Sequence, residues 1–154
     1  MNNSNIRPSV SSDLPAVKAI IDAAELFPTA LLDDMFLVNE DGSGQPEFWL
    51  SYDDGSPIAV AYCAPESMTV GTWNLLLIAV HPDRQGTGIG TQLMSFVEAK
   101  LASEGARALL VETSGTDDFV RTRAFYAQLG YDEEARIREY YDAGDDKIVF
   151  RKAL

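Results

Sequence analysis

The chain of 154 residues is 46% apolar and 23% charged, an ordinary composition for one globular domain, which excludes collagen, a continuous coiled coil and wholesale disorder. Twelve Lys and Arg against 24 Asp and Glu leave a formal charge of −12, which opposes general binding to nucleic acid or an anionic membrane. A chain of this length buries roughly 68–70% of its unfolded surface, so its core needs neither disulfide nor metal.

The single cysteine, Cys63, has no intramolecular partner for a disulfide, which fits a reducing compartment. Met1 to Val10 is polar and lacks the apolar stretch of a signal peptide. The longest run of large apolar residues, Leu75 to Val80, falls far short of the ~20 needed to span a bilayer. The expectation is a soluble, cytoplasmic protein.

Ile6 to Val10 reads as a short strand, and Ser11-Ser12-Asp13 offers N-cap chemistry for a helix whose apolar face is Val17, Ile20, Ile21 and Ala24. Phe27-Pro28 interrupts it, and Leu31 to Val38 repeats a helical pattern before Asp41-Gly42-Ser43-Gly44. The period then changes to two: Glu47 to Tyr52 and Pro57 to Ala64 flank Asp53-Asp54-Gly55-Ser56, a hairpin turn. Trp73 to Val80 is a third, more apolar strand. Ile89, Leu93, Phe96, Val97 and Leu101 then mark a helix buried on one face, ended by Gly105. Ala108 to Glu112 is another buried strand, Asp117 to Leu129 a helix stopped by Gly130, and Ala135 to Tyr141 with Lys147 to Arg151 a final strand pair. The order β-α-α-β-β-β-α-β-α-β-β, in a single domain over residues 1–154, predicts an α/β (α+β) fold. Its central sheet is mixed and mostly antiparallel, with helices on both faces.

The most informative stretch runs from Val80 to Thr91, where Gly86, Gly88 and Gly90 separate an apolar strand from an amphipathic helix. Glycines permit left-handed backbone and close approach, and the free N–H groups of a helix start attract negative charge. A phosphate or pyrophosphate fits such a turn, with Arg84 as a local positive charge. A Walker A loop is excluded because the chain has no Gly-Lys pair, and a dinucleotide fingerprint starting at Gly86 finds Thr91 where its third glycine belongs. The alternative is a tight, ligand-free strand-to-helix turn.

On these residues the sequence resembles the GNAT superfamily of N-acetyltransferases, whose Q/R-x-x-G-x-G/A signature is met by Gln85, Gly88 and Gly90. The resemblance extends through the strand Trp73 to Val80, the strand end Leu110-Val111-Glu112, and Tyr126 with Gly130-Tyr131, similar to the family's Y-x-x-x-G-F/Y. It implies acetyl-CoA as cofactor and acetyl donor. The pyrophosphate would then lie on the turn from Arg84 through Gln85, Gly86, Thr87, Gly88, Ile89 and Gly90 to Thr91. The pantetheine arm would pair with the backbone of Ile78, Ala79 and Val80, and Arg123 and Phe125 would make further cofactor contacts. A solvated helix charge is the competing reading of Arg123.

Acetyl transfer to a primary amine by direct attack, through a tetrahedral intermediate, needs a neutral nitrogen and a proton for the departing thiolate. The resemblance makes Tyr126 the general acid, against the alternative of a core aromatic beside Phe125. Glu112 is the one acid closing an apolar strand, where burial suits it to act as base. Ribosomal-protein and peptide N-terminal acetyltransferases carry a similar strand-end Glu and segments similar to Arg138-Glu139-Tyr140-Tyr141 and Asp145-Asp146-Lys147. For Glu112 the alternative is a salt-bridged strand end, with Arg107 or Arg123 as partner. Phe27, Leu31 and Trp73 are the candidates for lining the acceptor, a small-molecule amine or a peptide N-terminus, although core packing also explains them. His81, the only histidine, reads as a turn residue, and without a second one a metal site has little support. A homodimer stays open, since exposed final strands often pair in such proteins. The competing function is a non-catalytic acyl-CoA-binding or regulatory module of the same fold.

Overall fold

The structure is a computed structural model that describes residues 5–26, 28–36 and 46–154. Its strands are β1 (Ile6–Pro8), β2 (Phe48–Asp53), β3 (Pro57–Pro65), β4 (Thr72–Val80), β5 (Ala108–Ser114), β6 (Asp132–Asp142) and β7 (Asp145–Ala153). Its helices are α1 (Leu14–Ala23), α2 (Leu32–Met35), α3 (Ile89–Ser103) and α4 (Val120–Gln128). Hydrogen bonding orders the seven strands β1-β2-β3-β4-β5-β7-β6. The expected order of elements is the observed one.

Contacts divide the chain into two units, residues 1–64 with 77–100 and residues 65–76 with 101–154. In the first, β1 pairs antiparallel with β2 and β2 with β3. The hairpin between β2 and β3 turns as its composition predicts. Asp53 Oδ1 accepts the Gly55 N–H at 2.9 Å, and Gly55 takes a left-handed φ of +123°. Val17, Ile20 and Ile21 form one face of α1 and are at most 1% exposed. They share a core with Leu32, Phe36, Trp49, Val60, Leu77 and Ala79. Trp49 stacks on its cross-strand partner Tyr62 with ring centroids 4.3 Å apart.

The expected helix from Leu31 to Val38 is shorter: a 3-10 turn, Thr29–Leu31, leads into the four-residue α2. Leu32 and Phe36, four apart, take the buried side, which leaves Leu31 53% exposed. The Asp41 to Gly44 segment lies outside the described residues.

In the second unit the first half of β4 runs parallel to β5, the arrangement that a crossover helix such as α3 makes possible. β5 pairs with β7 from Ala108↔Ala153 to Ser114↔Lys147, and β7 pairs with β6. β5, β6 and β7 all extend beyond the apolar patterns that announced them. Backbone pairing continues there through Thr113, Ser114 and the acidic residues that begin β6 and β7, none of which marks a buried face in sequence. Every residue of β6 is exposed. Among the described residues, no helix is long and apolar enough to cross a membrane.

Candidate active site

In the first unit β4 ends at Val80, a 3-10 turn covers Pro82–Arg84, and α3 begins at Ile89. His81 is a turn residue: its N–H donates to the Ile58 carbonyl at 2.9 Å, and its Nδ1 accepts the Asp83 N–H at 3.2 Å. Gln85 folds back, its Nε2 donating to the Val80 carbonyl at 3.0 Å, and the Thr87 hydroxyl donates to the Arg84 carbonyl at 2.5 Å. Gly86 and Gly88 have φ of +76° and +87°, which L side chains rarely adopt. A Cβ on either would meet no described atom within 4 Å, so the backbone conformation, and not crowding, requires glycine there.

Gly88 is the N-cap of α3, its carbonyl accepting the Gln92 N–H at 3.0 Å. The N–H groups of Ile89, Gly90 and Thr91 therefore open a helix of 15 residues without intrahelical acceptors. Ile89 is buried and anchors the helix start, whereas Gln85 to Gly88 are exposed. Such a start, with open space over two glycines, fits a phosphate or pyrophosphate group. Arg84 Nη1 is 2.7 Å from Asp54 Oδ2, so the arginine of the turn stands in an ion pair. On β4, Ala79 is buried and Ile78 and Val80 half-buried.

In the second unit Tyr126 is 3% exposed on α4, with ring centroids 5.2 Å from Phe125, 5.9 Å from Tyr131 and 5.8 Å from Phe150. These contacts match the core-aromatic reading of Tyr126, packed beside Phe125. Burial pushes that phenol above its ordinary pKa, so it stays protonated at neutral pH. Glu112 is half-buried on β5. Its Oε1 is 3.0 Å from Lys147 Nζ, and its Oε2 accepts Nδ2 of Asn74 at 3.2 Å.

The partner of Glu112 is thus Lys147, not the Arg107 or Arg123 that the sequence suggested. Arg107 Nε donates to the Val70 carbonyl at 2.5 Å, and Arg123 Nη1 donates to the carbonyls of Ser114 and Thr116 at 2.9 and 2.7 Å. The β5–β7 register decides the matter, because it brings a residue 35 positions further along the chain onto the face of Glu112. The signal lay in the sequence as a lysine opening the last apolar strand, but only the pairing shows where it points.

A family model described as "Acetyltransferase (GNAT) domain" matches residues 44–133, more than half of the chain. The chain belongs to the GNAT acetyltransferase family. An uncharacterised N-acetyltransferase of Methanocaldococcus jannaschii is 30% identical, over 96% of this chain and 90% of the relative. The ribosomal protein bS18 alanine N-acetyltransferase of Escherichia coli is 28% identical, over 90% of both chains. A crystal structure of a GNAT-family protein from Desulfovibrio desulfuricans superposes with a TM-score of 0.84 at 29% identity, covering 96% of this chain and 97% of that one.

For a GNAT acetyltransferase the acetyl donor is acetyl-CoA, and the turn at Gly86 to Gly90 suits the charge of its pyrophosphate. Three residues were expected to line the acceptor. Leu31 is exposed in the first unit, Trp73 is half-buried opposite Leu109 in the second, and Phe27 lies outside the described residues. Cys63 is buried and its thiol is pushed up by that burial, consistent with a core role. Among the described residues, no His, Cys, Asp or Glu group has the makings of a metal site.

Proposed function

We propose that this GNAT acetyltransferase moves the acetyl group of acetyl-CoA to a primary amine by direct attack, through a tetrahedral intermediate. The observation that supports this most is the turn before α3, where two left-handed glycines and the free amides of a 15-residue helix provide for a pyrophosphate. The donor supplies an activated acetyl thioester. Backbone amides from Gln85 to Gly90 hold its pyrophosphate, and the backbone of Ile78 to Val80 pairs with the pantetheine arm. Arg84 and Arg123 contribute less, since Asp54 and two carbonyls occupy them.

Glu112 takes the proton that the attacking amine must lose, and Tyr126 gives a proton to the leaving thiolate. A protonated phenol is the state required for the second task, and burial maintains it. Likeness to the bS18 alanine acetyltransferase supports a peptide N-terminus as the first acceptor class to examine. Calorimetric titration with acetyl-CoA tests the turn, with saturable one-to-one binding expected. CoA release on adding amines then tests transfer. Absence of binding overturns the whole reading, while binding with no release for any amine leaves a non-catalytic acyl-CoA-binding module.

A further inference from the structure

In the antiparallel ladder of β5 and β7, Val149 lies opposite Glu112 and Lys147 opposite Ser114. Side chains alternate along a strand, so Glu112 and Ser114 share a face and Lys147 is the diagonal neighbour of Glu112. A four-carbon stem spans that diagonal, and Nζ ends 3.0 Å from Oε1. From the other side, Asn74 on β4 lies opposite Leu110, two residues before Glu112 and on the same face. Its Nδ2 donates to Glu112 Oε2 at 3.2 Å and to Glu66 Oε1 at 2.8 Å. Each oxygen of Glu112 therefore has its own donor.

Lys147 is not a solvated surface charge. Its side chain is 10% exposed, and its ammonium sits 4.1 Å from the centroid of the Tyr140 ring. Burial alone would favour the neutral amine. The hydrogen bond and charge of Glu112, with help from Tyr140, outweigh it and hold the pKa above the ordinary lysine value. A buried ammonium persists when a carboxylate is fixed beside it, and the fixing is mutual.

We infer that Lys147, together with Asn74, is a positioning residue that sets the Glu112 carboxylate for its work on the acceptor amine. The inference rests on the proposed role of Glu112 as base. With Oε1 on an ammonium and Oε2 on an amide, the carboxylate cannot turn about its last bond without losing a charge-assisted hydrogen bond. The remaining lone pairs then face fixed directions, as proton transfer requires. The ion pair carries no net charge, so Glu112 meets the acceptor as an oriented hydrogen-bond acceptor and not as a bare anion.

The test is a double-mutant cycle read by CoA release. It uses the first amine to support turnover by the wild-type protein from a panel of peptides with free N-termini, polyamines and aminoglycosides. Lys147→Met is expected to lower kcat about tenfold while KM for acetyl-CoA stays within about twofold, and Lys147→Arg to recover about half of the loss. In a Glu112→Gln background, Lys147→Met should cost nothing further, because it acts through Glu112. Thermal melts accompany each variant; if Lys147→Met does not fold, Lys147→Arg and Asn74→Ser replace it in the cycle, each expected to lower kcat less in the Glu112→Gln background than in wild type. Unchanged kcat in Lys147→Met, or an equal loss in both backgrounds, overturns the inference alone. If no amine supports turnover, or Glu112→Gln is as fast as wild type, the proposed role of Glu112 fails first and the inference falls with it.

Discussion

Tyr131 closes the helix that presents Tyr126: its N–H donates to the Tyr126 carbonyl at 3.1 Å, and their rings meet edge to face with centroids 5.9 Å apart. Between them Gly130, at φ +91°, donates to the Ala127 carbonyl at 3.1 Å. These two bonds and the apolar contact make a Schellman ending, which satisfies carbonyls that α4 would otherwise leave open. Lys152 Nζ donates to the carbonyl of Leu129, which follows the helix, at 2.8 Å. The spacing Tyr-x-x-x-Gly-Tyr thus fixes the ring of the proposed acid by the way its helix stops.

Tyr126→Phe should keep that packing and remove only the proton donor. Stability is expected to change by less than about 1 kcal/mol, acetyl-CoA affinity by less than about twofold, and CoA release to fall by about 100-fold or more. Steady-state kinetics beside a calorimetric titration check this, and a fully active variant would remove Tyr126 from the mechanism.

α1 ends in the same way with the wrong residue. Leu26 N–H donates to the Ile21 carbonyl at 3.3 Å, and Glu25 holds the left-handed position at φ +54°. Left-handed backbone costs a side-chain-bearing residue about 1–2 kcal/mol, partly offset by the greater unfolded freedom of glycine. Glu25→Gly should therefore stabilise the protein by about 0.5–1 kcal/mol in urea unfolding. A loss of stability would mean that α1 does not end in this motif.

Gly88→Ala puts a Cβ where there is room but where φ is +87°. The backbone must relax or bear about 1–2 kcal/mol of strain, and the amides after it turn away from their common direction. Acetyl-CoA affinity is expected to drop about tenfold or more while the melting temperature moves by only a few degrees. Affinity equal to wild type by calorimetry would show that the turn does not hold the donor.

Arg7 of β1 joins the residue before α1 to the end of β2, donating to Asp13 at 2.8 and 2.9 Å and to Asp53 Oδ2 at 2.9 Å. The Arg7 hydrogen bonds hold the buried Asp13 carboxyl below its ordinary range, aided by the Val10 N–H and Ser51 and opposed by desolvation. A carboxylate with a lowered folded pKa adds stability that is complete above its unfolded value, about 3.9. That stability disappears as pH falls through the folded value. Asp13→Asn should cost about 1–3 kcal/mol at pH 7, and the gap to wild type should shrink when urea unfolding is repeated near pH 3. A gap that stays constant with pH would show that Asp13 contributes no more as an anion than as a neutral group.

Local chemistry wrote the element order and the glycine turn into the sequence. Period-two and period-3.6 apolar patterns, Gly55 after Asp53, and Gly105 and Gly130 after their helices each act within a few residues, so reading the chain in order suffices. The turn proposed to hold the donor was legible for the same reason, because a strand, a turn and a helix start are consecutive. The extent of β5, β6 and β7 was not, since backbone pairing continues where side chains give no periodic signal.

The surroundings of Glu112 were decided by tertiary structure alone. Three strands place Asn74, Glu112 and Lys147 together through register, and register depends on backbone hydrogen bonds between segments far apart in the chain. Sequence named the carboxylate, but its neighbours in the chain, Arg107 and Arg123, turned to backbone carbonyls instead. The same holds for Tyr126: its motif marks the position, whereas the burial that keeps the phenol protonated comes from Tyr131 and Phe150 closing around it. Residue identity fixed which groups can exchange protons; the partners that orient them came from pairing and packing, whose energies depend on distance in space and not along the chain.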